Sequence, residues 1–116
     1  MRKTLVIDFD GTIAEWGEYP NPGPPIPGVR DVLIELQEMG FTLLIASSRT
    51  CDEISKHPID KKVEKDRMEE YLIEHDIPFD EVLKSDKPVA MFYIDDRALE
   101  FKGDWKEVLK KVKEEE

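Results

Sequence analysis

Cysteine is nearly absent. Cys51 is the only one in 116 residues, so no disulfide can close within the chain. A reducing, cytoplasmic setting is the default expectation for such a sequence. No apolar run approaches the about 20 residues needed to span a bilayer, which argues against membrane insertion. Met1-Arg2-Lys3 leads into only a few apolar residues before Asp8, too few for the core of a secretory signal. Basic charge is in deficit. Lys and Arg number 17 against 27 Asp and Glu, for a formal net charge of −10. So acidic a surface disfavours non-specific binding to nucleic acid or anionic membranes. There is no internal repeat.

What remains fits a single domain over 1–116, long enough for one modest core. The apolar fraction is 40%, ordinary for a globular protein, whereas the charged fraction is high at 38%.

The first organised stretch is Thr4-Leu5-Val6-Ile7-Asp8-Phe9-Asp10-Gly11-Thr12. Leu5, Val6 and Ile7 form a short, β-branched run that suits a strand covered on both faces. It ends in two carboxylates two positions apart. Gly11 then permits a tight turn, and Thr12 offers a hydroxyl beyond it. Residues 13–27 carry five prolines and two glycines, which exclude a regular helix or central strand and predict a stiff loop or flap. Trp16 and Tyr19 in that flap either cover a site at the strand end or pack on the edge of the core.

Gly28 to Gly40 predicts a helix. Val29, Val32, Leu33 and Leu36 fall on one face, and Gly40 is the stop. Residues 41–46 predict a second buried strand ending in Ser47-Ser48-Arg49-Thr50. Strand, helix and strand in this order make a βαβ unit with parallel neighbours. After a loop at 51–58, Asp60 is expected to cap a helix through about His75, with Val63, Met68, Tyr71 and Leu72 on its inner face. Residues 81–83 predict a weak third strand, and 91–94 a strong fourth ending in Asp95-Asp96-Arg97. Only residues 84–90 join them, which is short for a parallel crossover. Asp104 caps a last helix with Glu107 three residues on, and Trp105, Val108, Leu109 and Val112 form its apolar stripe. The expected fold is a three-layer, Rossmann-like α/β sandwich with a mostly parallel central sheet.

In such sheets, ligands bind at the carboxyl ends of the strands. Three strand ends here carry functional groups: Asp8 and Asp10, then Ser47 and Arg49, then Asp95 and Asp96. Lys84 and Lys87 lie in the loop before the fourth strand. Two acids at the end of one strand repel each other unless a cation or a shared proton is present. A divalent cation with a preference for oxygen ligands, Mg²⁺, answers that simply. Adding a hydroxyl and a lysine makes a metal site that also accepts an anion, most simply a phosphoryl group.

These residues resemble the four motifs of the haloacid dehalogenase superfamily of phosphohydrolases. Asp8-Phe9-Asp10-Gly11-Thr12 matches the first, Ser47 at its strand end the second, Lys87 or Lys84 the third, and Asp95-Asp96 the fourth. Lys87-Pro88 is similar to the Lys-Pro found at the third motif in many members. The resemblance covers nearly the whole chain. It implies that Asp8 is the nucleophile and forms an aspartyl-phosphate, and that Asp10 is the general acid and then base. It implies Mg²⁺ held by the Asp8 carboxylate, the Asp10 backbone carbonyl and Asp95, with Asp96 close or through water. Ser47 would bind the phosphoryl oxygens and Lys87 would balance charge. Gly11, Thr12, Ser48 and Arg49 are the further candidate substrate contacts. Neither the span from Asp10 to Ser47 nor that from Ser47 to Lys87 can house a cap domain, so an open, capless site is expected. Capless members act on large substrates or close the site with a neighbouring subunit, which leaves a homo-oligomer open.

Each residue also has a plainer explanation. Arg49 and Arg97 can bind substrate or pair with the acidic cluster. Cys51 lacks an evident base, with His57 near only in sequence. His75 suits a helix end. The expected function is a Mg²⁺-dependent phosphatase acting on a phosphorylated small molecule or macromolecular end. The alternatives are a non-enzymatic phospho-accepting or metal-binding regulatory module, and a polynucleotide-end phosphatase, which an open site would admit despite the acidic charge.

Overall fold

A computed structural model describes residues 3–18, 20–47, 49, 58–83, 92–95 and 99–115. Strand β1 (Thr4–Asp8) lies at the centre of a five-stranded sheet. Helix α1 (Val29–Glu38) returns the chain to β2 (Thr42–Ala46), which pairs in parallel with β1 from Thr4↔Thr42 to Asp8↔Ala46. This is the expected βαβ unit. Helix α2 (Pro58–Glu74) leads to β3 (Glu81–Val82), which adds in parallel outside β2. Strand β4 (Phe92–Asp95) pairs in parallel with the other side of β1, and β5 (Leu99–Glu100) lies outside it. Helix α3 (Trp105–Glu115) closes the described chain. The sheet order is β3-β2-β1-β4-β5.

That order changes how the third and fourth strands relate. They are not neighbours, since β2 and β1 stand between them. The short link from β3 to β4 therefore joins parallel strands on opposite sides of β2 and β1; residues 84–91 lie outside the described ones. Strand β5 was not expected at all. A two-residue strand separated by three residues from its parallel neighbour lacks the crossover length and the periodicity that announce a strand.

β1 is hydrophobic on both faces because both are covered. Leu5 and Ile7 join Leu43, Ile45, Val82 and Ile94 in the main core. Val6 points the other way by strand alternation, yet is only 1% exposed. The result is a Rossmann-like α/β sandwich with a parallel sheet and, among the described residues, no cap domain. No helix among them is long and apolar enough to cross a membrane.

The helix boundaries have local causes. Gly40 adopts φ +95° and its N–H donates to Gln37 O, while Phe41 N–H donates to Leu36 O, so the expected stop is a Schellman motif. Helix α2 begins at Pro58 rather than being capped by Asp60; proline suits a first helical position because no partner is needed there for an N–H. The phase of α2 also differs from expectation. Val63 is 48% exposed, whereas Glu64, Met68, Tyr71 and Leu72 are buried. Positions 64, 68, 71 and 72 are a true i, i+4, i+7, i+8 stripe. The glutamate in it hid the register. In α3, the Lys106 N–H donates to Asp104 Oδ1 at 2.9 Å, and Trp105, Val108 and Val112 are buried as expected.

Trp105 joins the last helix to the turn after β1. Its indole Nε1–H donates to Thr12 O at 2.9 Å, and its ring packs on Phe101. Trp105→Phe leaves that carbonyl without its buried donor and leaves a small void. A loss of about 1–3 kcal/mol in urea unfolding is expected. A variant within experimental error of the wild type would show that the bond contributes nothing net.

Candidate functional site

The carboxyl edge of the sheet is assembled by backbone register. Asp8 ends β1 level with Ala46, and the Phe9 N–H continues the ladder to Ala46 O at 3.0 Å. Ser47 is therefore the next residue along the neighbouring strand. On the other side Ile7 pairs with Ile94, so Asp8 and Asp95 follow level on adjacent strands, about 5 Å apart between strand axes. The order β2-β1-β4 thus gathers residues 8, 47 and 95 at one edge. The side chain of Asp95, and Ser48, Lys84, Lys87 and Asp96 altogether, lie outside the described residues.

After Asp8 the chain folds tightly on Phe9. The Phe9 carbonyl accepts from Ile13 N–H at 3.0 Å and Ala14 N–H at 3.1 Å, and Gly11 N–H donates to Ala14 O at 2.8 Å. Gly11 sits at φ +81°, a conformation glycine adopts without strain. This turn presents Asp10 beside Asp8. Its bridge to Ala14 uses the Phe9 carbonyl and the Gly11 N–H. The Asp10 carbonyl is not consumed by the bridge.

The Asp10 side chain is held by Arg49. Arg49 Nε donates to Asp10 Oδ2 at 2.7 Å and Nη2 to Oδ1 at 3.0 Å, a two-pronged pair that matches guanidinium to carboxylate geometry. Nη1 donates to Glu64 Oε1 at 2.9 Å and to Pro20 O at 2.6 Å. The guanidinium lies 5.7 Å from the Phe9 ring centre. Side-chain exposures are 4% for Arg49, 13% for Asp10 and 8% for Glu64. Burial alone would lower the Arg49 pKa; hydrogen bonds and charge from Asp10 and Glu64 outweigh it and raise the pKa above the ordinary arginine value. Glu64 also faces Arg67 Nε at 3.5 Å.

The structure bears on two of the candidate contacts. Arg49, a candidate substrate contact, instead directs its guanidinium at Asp10, Glu64 and Pro20. Thr12, also a candidate contact, is buried, at 1% exposure. Ser47 is at the edge as expected, and its Oγ accepts from the Arg49 N–H at 3.0 Å, which orients the hydroxyl. Glu64 was missed because an acid in a charge-rich helix reads as a solvated residue. Its spacing to Met68 and Tyr71 was the available signal.

Tyr71 ties α2 to the flap: its hydroxyl donates to Gly23 O at 2.7 Å, and its ring meets Phe9 edge-on, with centroids 5.2 Å apart. Burial first, then the charges of Glu15, Glu74 and Asp10, push its pKa up to about 12.

Among the described residues no three His, Cys, Asp or Glu side chains form a group that could hold a metal ion. The ligand set expected from sequence includes two acids whose side chains are not among them.

Two outcomes follow. Arg49→Met leaves one buried and one largely covered carboxylate without their cation, and a destabilisation of about 3–5 kcal/mol in urea is expected. Glu64→Gln keeps an oxygen acceptor and should cost less. An Arg49→Met variant as stable as the wild type would remove the ion pair from the account of stability. For Tyr71, a folded pKa raised above the ordinary tyrosine value means that its contribution is complete below about pH 10 and is lost as pH rises through about 12. The stability difference between wild type and Tyr71→Phe should narrow over that interval. A difference that is flat from pH 8 to pH 12 would contradict the shift.

No protein-family model matches the sequence, and no curated protein matches it. Solved structures do resemble it. A conserved protein from Bacteroides thetaiotaomicron is similar with TM-score 0.69 and 25% identity, covering 100% of this chain and 93% of that one. A protein from Vibrio cholerae is similar with TM-score 0.59 and 27% identity, covering 95% of this chain and 98% of that one. The chain therefore shares its α/β fold, over its length, with these solved chains.

Proposed function

We propose that this protein is a Mg²⁺-dependent phosphomonoesterase of the haloacid dehalogenase type, acting through an aspartyl-phosphate on Asp8. One observation carries the reading: the strand order β2-β1-β4 sets Ser47, Asp8 and Asp95 along one edge, with Asp10 in the turn that follows. The donor chemistry fits a hard cation. The Asp8 carboxylate, the Asp10 carbonyl and Asp95 are the oxygen ligands that would hold Mg²⁺. When bound, Mg²⁺ neutralises charge on the phosphoryl oxygens and lets an anionic nucleophile approach them.

Asp8 attacks phosphorus, and the bond to the leaving oxygen breaks. Asp10 gives that oxygen its proton. Asp10, now a carboxylate, takes a proton from water as the water attacks the phosphoryl-Asp8, releasing inorganic phosphate and restoring Asp8. The Ser47 hydroxyl hydrogen-bonds a phosphoryl oxygen, and Lys87 or Lys84 balances the charge. The hold of Arg49 bears on this cycle. A protonated Asp10 cannot accept with full strength at both oxygens, so one prong of the pair yields while Asp10 carries the proton. The single cysteine and acidic surface accord with a cytoplasmic enzyme acting on a small phosphorylated substrate.

The same Arg49 hold favours a second reading. If Asp10 never leaves the pair, the phosphoryl-Asp8 persists and the protein is a phospho-accepting switch. Turnover of p-nitrophenyl phosphate with Mg²⁺ separates the two. The enzyme reading expects sustained phosphate release, abolished in Asp8→Asn and lowered by roughly 10²–10⁴-fold in Asp10→Asn, with both variants checked for folding by circular dichroism. Full activity in a folded Asp8→Asn variant would end the nucleophile assignment. One phosphoryl group retained per protein without release would favour the switch.

A further inference from the structure

We infer that Trp16 is a stacking platform for the leaving group, and that the substrate is a monophosphate of a planar aromatic group such as a nucleoside. This rests on the phosphomonoesterase reading and names the substrate class of the same site. Trp16 is 76% exposed, whereas Trp105 is 1% exposed. Trp105 is explained by the core and by its bond to Thr12 O. Nothing in the core explains Trp16.

Its position gives it a use. A Cβ added to Gly11 would lie 2.8 Å from Trp16 Nε1 and 2.9 Å from Cε2. The nitrogen side of the indole therefore rests on the residue that follows Asp10, and most of the ring stands open to solvent. Any side chain at position 11 would displace it.

The indole is also held ready. Glu15 N–H donates to Pro24 O at 2.8 Å, and Gly23 N–H to Glu15 O at 2.9 Å, closing the flap into a ladder beneath Trp16. A Cβ at Gly17 would collide with Asn21 O, so the flap tip folds on itself too closely for any other residue. Tyr71 fastens the flap at Gly23 O and Arg49 fastens it at Pro20 O. A ring presented on a fastened loop loses little freedom when a ligand stacks on it.

The chemistry of the flap narrows the occupant. An open indole face favours a planar π-system. Residues 13–27 include Glu15 and Glu18 and no Lys or Arg. A second phosphate along the same chain would be repelled there. A single phosphate on an aromatic leaving group fits, and a polynucleotide end does not.

The test compares adenosine monophosphate, glycerol phosphate and a phosphorylated oligonucleotide as substrates with Mg²⁺, in wild type, Trp16→Ala and Trp16→Phe. The ratio of kcat/KM for adenosine monophosphate over glycerol phosphate should fall roughly five- to hundredfold in Trp16→Ala, mainly through KM, and largely recover in Trp16→Phe. Adenosine monophosphate should quench tryptophan fluorescence saturably in the wild type and not in Trp16→Phe. An unchanged ratio, or a wild type that prefers the oligonucleotide, overturns the platform while leaving the phosphatase standing. Saturable quenching without turnover of any phosphate ester supports the platform and removes the phosphatase. Absence of quenching overturns the platform whatever the turnover.

Discussion

A buried guanidinium organises this site. Arg49 comes from just past β2, and its partners come from elsewhere in the chain: Asp10 from the turn after β1, Pro20 from the flap, Glu64 from α2. Taking a positive charge out of water is costly, and only a set of acceptors this complete makes it tolerable. Two carboxylates surround one guanidinium, with Arg67 next to Glu64, so none of these charges is stable alone. The flap, closed on itself by its own backbone bonds, is tied to the rest of the site through Arg49 at Pro20 O and Tyr71 at Gly23 O. Loss of Arg49 would therefore disturb the flap and α2 together as well as Asp10.

The same arrangement divides two acids that look alike in sequence. Asp8 belongs to the strand and is placed by the β1–β2 and β1–β4 registers. Asp10 belongs to the turn, and its carboxylate answers to Arg49 while its backbone remains at the edge. On the phosphomonoesterase reading that division is useful. The nucleophile must be fixed by the most rigid element, since misplacement by about 1 Å is costly. The acid–base group must be able to move a little and return. An ion pair to a side chain that also holds the flap gives Asp10 a defined resting position and links its motion to the loop over the site.

Much of this was legible in the residues. β1 reads as a buried strand because Leu5, Val6 and Ile7 need cover on both faces, and the periodicities of α1 and α3 identify their inner faces without ambiguity. The edge position of Ser47 follows from parallel pairing alone. Three features resisted the same reasoning, each for a physical reason. Glu64 is charged yet inward, because its partner lies 15 residues earlier on another element, and local periodicity carries no trace of a distant cation. The sheet position of β3 is set by pairing with β2, a long-range choice that short strands do not encode. β5 is two residues long, below any period. The fate of Arg49 was undecidable for a related reason: a cation near acids can serve a substrate or the fold, and only the geometry of Asp10 and Glu64 decides.

The flap shows how the fold and the chemistry meet. Its prolines and glycines first indicate only that no helix or strand can form. Gly17 and Gly23 turn out to be sites where any side chain would meet backbone, and Gly11 is the place where the Trp16 indole comes to rest. Glycine at position 11 therefore satisfies two demands at once, the positive φ of the turn and the space for the ring. The first could be met by other small polar residues at modest strain, but the second could not. Trp16 and Gly11 thus form a unit in which an exposed aromatic is seated against the backbone of the turn that carries Asp10. A flap that served only to cover the sheet edge would direct its largest side chain inward. This one leaves it outward, fastened and open to solvent beside the turn that carries Asp10.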